Sequence, residues 1–66
     1  MTSMNGKQVI ARLKDAGWRL ARIEGSHHIL EKDGMPRPVP VPVHGAKDLK
    51  PGTLASIQRQ SGVKMK

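Results

Sequence analysis

The sequence predicts an α+β domain of order α-β-β-β-α, with a three-stranded antiparallel sheet and two helices on one face. Three observations carry this expectation. Apolar residues recur at helical spacing near both ends of the chain, as Val9, Ile10, Leu13 and Ala16 and again as Leu54 and Ile57. Between them lie extended stretches bounded by the turn dipeptides Gly25-Ser26 and Asp33-Gly34. The chain has 66 residues, enough for a single domain spanning 1–66. Packing both helices on one face of the sheet is the economical way to bury their stripes.

The first helix is expected from Asn5 through Ala16. The Asn5 side chain can accept an orphan N–H of the first turn, and Gln8 stands three residues on, where a capping box takes Glu or Gln. Lys7, Arg12 and Lys14 fall largely away from the apolar face, and Gly17 suits the left-handed residue that ends a helix. Trp18 through Glu24 reads as a strand with imperfect alternation, because Ala21 and Ile23 are offset from Leu20 by an odd number. His27 through Lys32 reads as the second strand, with Asp33-Gly34 as a hairpin dipeptide after it. His44 to Asp48 is a loop. Pro51 opens the second helix, where its missing N–H is harmless, and Gly62 closes it. Val63-Lys64-Met65-Lys66 reads as a short basic tail. The expected core is Leu13, Trp18, Leu20, Val39, Val41, Val43 and Leu54.

The third strand is expected in Met35 to Val43, despite prolines at 36, 38, 40 and 42. In a strand the N–H groups of residues i and i+2 point to the same side. The missing donors therefore all fall on one side, and the N–H groups of Val39, Val41 and Val43 fall on the other. Such a strand pairs along one side only and must be an edge. The valine side chains share one face, expected to be the core face. The alternative is a free polyproline II segment that recruits a partner.

Twelve Lys and Arg against five Asp and Glu leave a net charge of +7. A field of this sign attracts polyanions, nucleic acid first among them. An anionic membrane is disfavoured, because no basic stretch is joined to a strongly apolar helical face. No apolar run approaches the roughly 20 residues that cross a bilayer, and Met1-Thr2-Ser3-Met4-Asn5 has no signal-peptide core. The chain has no cysteine, so neither a disulfide nor a Cys-based zinc site staples a domain this small. An intracellular, cytoplasmic protein is expected.

The proton-transfer candidates are His27, His28 and His44. Histidine titrates near neutral pH and both takes and gives a proton. Metal-free RNA cleavage uses that ability, removing the 2′-OH proton and protonating the leaving 5′-oxygen, while a cation steadies the phosphate. Arg22, Lys32, Lys47 and Lys50 are the plausible cations. Lys47 and Lys50 precede a helix N-terminus, where backbone N–H groups favour phosphate. Neighbours in a strand face opposite sides, so His27 and His28 cannot act from one face. The plainer reading makes them two surface histidines. The other basic residues read most simply as a solvated surface, and Trp18 as core rather than a stacking platform. Metal ligation is weakly supported, there being no HExxH-like spacing, and a Ser26 nucleophile has no Asp at a triad spacing.

Gly17-Trp18, Gly25-Ser26-His27-His28, Val41-Pro42-Val43-His44-Gly45 and Lys47-Asp48-Leu49-Lys50-Pro51-Gly52-Thr53-Leu54, in this order, resemble the HicA toxins of bacterial toxin–antitoxin pairs. The resemblance runs from about Asn5 to Gly62. It implies a fold like that of double-stranded-RNA-binding domains and a ribosome-independent mRNA interferase that needs no cofactor. It implies a HicB antitoxin that masks the active site. It assigns catalysis to His28, the second of the pair, with His27 in support and Gly25 and Ser26 in the turn that presents them. Two departures stand out: the third strand is heavier in proline than the family pattern, and Leu30 replaces the usual aromatic two residues after His28.

Beside the nuclease, two other functions fit the residues. A non-catalytic RNA-binding module would read A-form RNA by shape. The chain has only Lys47 and Lys50 ahead of its last helix, not the dense lysine cluster such a module uses. A protein-interaction module would use the proline-rich strand or the basic surface.

Overall fold

A computed structural model describes residues 4–65. The elements run in the expected order: α1 (Gly6–Asp15), β1 (Arg19–Glu24), β2 (His27–Glu31), β3 (Val39–Pro42) and α2 (Pro51–Ser61). Residues 1–3 of the leader expectation and Lys66 of the tail lie outside the described residues.

Both ends of α1 form as their residue types dictate. The Asn5 side chain accepts from the Gln8 N–H, and the Gln8 side chain accepts in return from the Asn5 N–H. At the other end Gly17 takes φ 98°. Its N–H donates to the Lys14 carbonyl and the Trp18 N–H donates to the Leu13 carbonyl, the paired bonds of a Schellman motif. The motif brings Trp18 down beside Leu13, and both are buried. Trp18 is thus core, as expected. Its indole Nε1–H has no partner among the described residues, a cost of about 1–3 kcal/mol that the ring's apolar burial must offset.

The sheet has the order β1-β2-β3, antiparallel throughout. Leu30 lies opposite Val39 in β3 and Leu20 in β1, and His28 lies opposite Val41 and Ile23. Directly opposed residues share a face. Val39, Val41 and Leu30 join Val9, Ile10 and Leu13 of α1 and Ile57 of α2 in one buried cluster, so this is the helix-covered face. The imperfect alternation in β1 has a physical cause. The register shifts between Leu20 and Arg22, a bulge at Ala21 that puts one extra residue into β1. The bulge absorbs the odd spacing and returns Leu20 and Ile23 to the same face.

β3 is an edge strand, paired with β2 alone. The Val43 N–H donates to the Ser26 carbonyl at 2.8 Å, so the valine donors face inward and the prolines outward, as the spacing requires. The segment is not free polyproline II.

Several details differ from expectation. Asp33-Gly34 does not make a two-residue hairpin: Met35 N–H closes a turn onto the Lys32 carbonyl, and the chain crosses to β3 only at Val39. Prolines at 36 and 38 fall in this connection, not in the strand. Leu20 is 38% exposed and is not core, because neither helix reaches over β1. Met65 is 1% exposed, so the segment read as a basic tail folds back into the core. It is held there by Met65 N–H to Gln58 Oε1 (3.1 Å) and by Arg12 to the Lys64 carbonyl (3.3 Å). Lysines flank Met65 and hide its apolar role in the sequence.

Candidate functional site

Gly25 and Ser26 form a two-residue turn between Glu24 and His27. Gly25 takes φ 59° while Ser26 does not take a positive φ, the pattern of a type II′ turn with glycine first. The turn sets the register of β2 and so decides which face each histidine takes. His27 falls on the outer face, exposed, with Ile29 and Glu31 next along it. His28 falls on the helix face and is half-buried, at the end of the core cluster.

The inward Val43 donor fixes the alternation of the ladder. His28 exchanges backbone hydrogen bonds with β3, and its pair with Ile23 is the non-hydrogen-bonded kind, in which Cα atoms approach to about 4.5 Å and side chains are closest. His28 therefore stands between the buried Val41 and Ile23, which is 55% exposed.

Several segments converge on this end of the sheet. Gly6, the first residue of α1, packs so closely on β3 that a Cβ there would lie 2.6 Å from the Pro42 carbonyl oxygen. The chain leaving β3 turns at once, with Lys47 N–H donating to the His44 carbonyl at 3.1 Å and Gly45 at φ 60°. It then runs beside the start of α1, bridging Asp48 to Asn5 and donating from Leu49 N–H to the Met4 carbonyl at 2.8 Å. Both helix N-termini thus lie at the end of the molecule that carries the histidines. Neither has an acidic residue in its first turn. The α1 end is self-capped by Asn5 and Gln8. The α2 end is open: Lys50 makes no side-chain cap and Pro51 has no N–H, leaving the amides of Gly52 and Thr53 without helix partners. Lys47 and Lys50 are exposed beside it.

The expected cations do not all gather there. Arg22 lies opposite Ile29, on the outer face with His27 and away from His28. Its guanidinium is paired with the Glu24 carboxylate and lies 3.9 Å from Glu31. The Glu24 hydrogen bond, and then the charge of Glu24, hold its pKa above the ordinary arginine value, with a smaller contribution from Glu31. Lys32 lies at the far end, folded over Gly17, where an added Cβ would be 3.3 Å from the lysine Cε. A cavity of about 370 Å³ beside it is lined by Arg19, Asp33 and Arg37 among others, remote from His28. Arg19 is itself paired with Asp33 at 3.1 Å. Among the described residues no cluster of three His, Cys, Asp or Glu could hold a metal ion. No described helix is long and apolar enough to cross a membrane.

Ile23 was not among the site residues that the sequence suggested. Its signal was the odd spacing from Leu20, which becomes meaningful only once the Ala21 bulge is known.

The molecule is a small basic α-β-β-β-α domain whose central strand carries two adjacent histidines, one on each face of the sheet. Comparison with known proteins gives this class a family. A family model described as "HicA toxin of bacterial toxin-antitoxin" matches residues 6–63, and the chain belongs to that family. A solved structure described as "HicA3 and HicB3 toxin-antitoxin complex" contains a chain 30% identical to this one, with a TM-score of 0.75, covering 96% of this chain and 100% of that one. Among curated proteins no match is found.

Proposed function

We propose that this chain is the toxin of a type II toxin–antitoxin pair and acts as a metal-independent endoribonuclease on mRNA in the cytoplasm, arresting growth. The observation that carries this reading is the position of His28, half-buried on the helix-covered face of the central strand, near the end where both helix N-termini lie. A positive field there draws the RNA backbone, and the histidine exchanges protons with it. In the reaction the 2′-oxygen loses its proton and attacks the adjacent phosphorus. The bond from phosphorus to the 5′-oxygen breaks, and that oxygen takes up a proton. The products are a 2′,3′-cyclic phosphate and a 5′-hydroxyl. His28 serves one of these transfers. The Gly25-Ser26 turn holds it in register, His27 supports from the neighbouring face, and Lys47 and Lys50 take phosphates at the open end of α2. Arg22 is committed to Glu24 and Glu31 and contributes to the turn rather than to RNA. A HicB-type antitoxin covers the site until the toxin is released.

The test is His28→Ala, expressed without antitoxin and scored for growth and for RNA cleavage, with His27→Ala beside it. Cleavage should fall by about 10²-fold or more in the His28 variant alone, with circular dichroism unchanged. EDTA should have no effect, and DNA, which lacks the 2′-OH, should not be cut. Tight RNA binding without cleavage by the unaltered protein would favour a non-catalytic RNA-binding module instead.

A further inference from the structure

The two edges of the sheet differ in what they can accept. The outward positions of β3 are Pro40 and Pro42, which have no N–H, so no further strand can pair there. β1 is open. Among the described residues nothing pairs with its outer side, and all six of its residues are exposed. The ladder alternation directs the backbone N–H and C=O groups of Leu20 and Ile23 outward. Their side chains lie on the helix face, 38% and 55% exposed, with no helix above them. An open hydrogen-bonding edge beside an uncovered apolar strip is the surface that strand addition uses. Left bare, it is a hazard for self-association.

We propose that the outer edge of β1 is a docking strand for the antitoxin: an extended acidic segment of that partner pairs along Leu20 to Ile23, covers both apolar side chains and closes the apolar strip beside His28. The proposal rests on the reading of this chain as an antitoxin-held toxin and adds where the partner binds. The occupant follows from chemistry. RNA has no peptide ladder to match an open strand edge. A second copy of this chain would bring another +7 against the first. A partner that carries both a strand and negative charge satisfies the edge and the field together. Masking needs no contact with the imidazole itself, because Ile23 is its direct cross-strand neighbour.

Amide hydrogen exchange tests this on the toxin alone, on its complex with the co-expressed HicB-type antitoxin, and on the toxin with a 2′-O-methylated RNA oligonucleotide that cannot be cleaved. The Leu20 and Ile23 amides should exchange rapidly in the free toxin and slow by about tenfold or more in the antitoxin complex. Leu20→Pro deletes the outward donor, as prolines do in β3, and should weaken antitoxin binding about tenfold more than Leu20→Thr, which keeps the N–H. A complex that forms with these amides unprotected, or equal affinities of the two variants, overturns the proposal. So does protection by the RNA but not by the antitoxin, or protection that rises with toxin concentration alone. Failure of any antitoxin to bind would remove the partner reading itself, and this inference with it.

Discussion

β1 and β3 flank the same central strand, yet one is clamped and the other hangs free. Val39 and Val41 are sealed beneath both helices, and the prolines of β3 turn outward and blunt its edge. β1 buries none of its residues and is held by a single ladder, bent at Ala21. Leu30 feels both conditions at once, with Val39 on one side and Leu20 on the other. A small domain has core enough to cover part of its sheet, and here the uncovered part adjoins the candidate catalytic residue. Stability is concentrated on the β3 side, and the surface open to partners lies on the β1 side.

This contrast can be tested at several strengths. The largest effect belongs to the strand between the two edges: His28→Ala should abolish cleavage by about 10²-fold or more with little change in thermal midpoint, since the side chain is only half-buried. Next comes the stability of the clamped edge. Val39→Ala should cost about 2 kcal/mol in urea unfolding, from lost transfer energy and a cavity under α1 and α2. Leu20→Ala, which trims the opposite neighbour of Leu30, should cost less than about 1 kcal/mol. Equal costs would break the comparison between the edges. Gly6→Ala should cost about 1–2 kcal/mol, because its Cβ would be forced against the backbone of Pro42, although alanine is the better helix former. The smallest effect is expected at Arg22→Ala. It should leave cleavage within about threefold and the thermal midpoint nearly unchanged, since exposed ion pairs contribute little. A large loss of cleavage in that variant would return Arg22 to the RNA surface.

Much of this architecture was legible in the sequence because its signals are local. Asn5 and Gln8 announce the start of α1, and Gly17 and Gly62 announce the ends of both helices. The alternation of proline and valine forces an edge strand through the count of backbone donors alone. Adjacent histidines in a strand had to face opposite ways. At the site, Gly25, Ser26 and the two histidines were recognisable as a turn and a strand start. The sequence could not tell which histidine faced the helices, since that depends on the register across two ladders.

Other features were illegible for definite reasons. Met65 sits between lysines and looks like tail, and only the core formed where both helices pack on the sheet makes a hole for it. Leu20 looks like core, but burial depends on what lies above a residue, and the helices stop short of β1. Arg22 reads as a free cation, but Glu24, two residues on along β1, pairs with it, and pairing across the sheet brings Glu31 to its other side. By itself, the sequence determined the element order, the caps, the blunt proline edge and the excess positive charge, because each follows from backbone chemistry or from simple counting. Only the tertiary structure decided that His28 lies on the covered face, that the helix N-termini meet at its end, and that the opposite edge stays open. Those outcomes depend on a one-residue bulge and on the reach of two short helices, quantities set by packing between segments far apart in the chain.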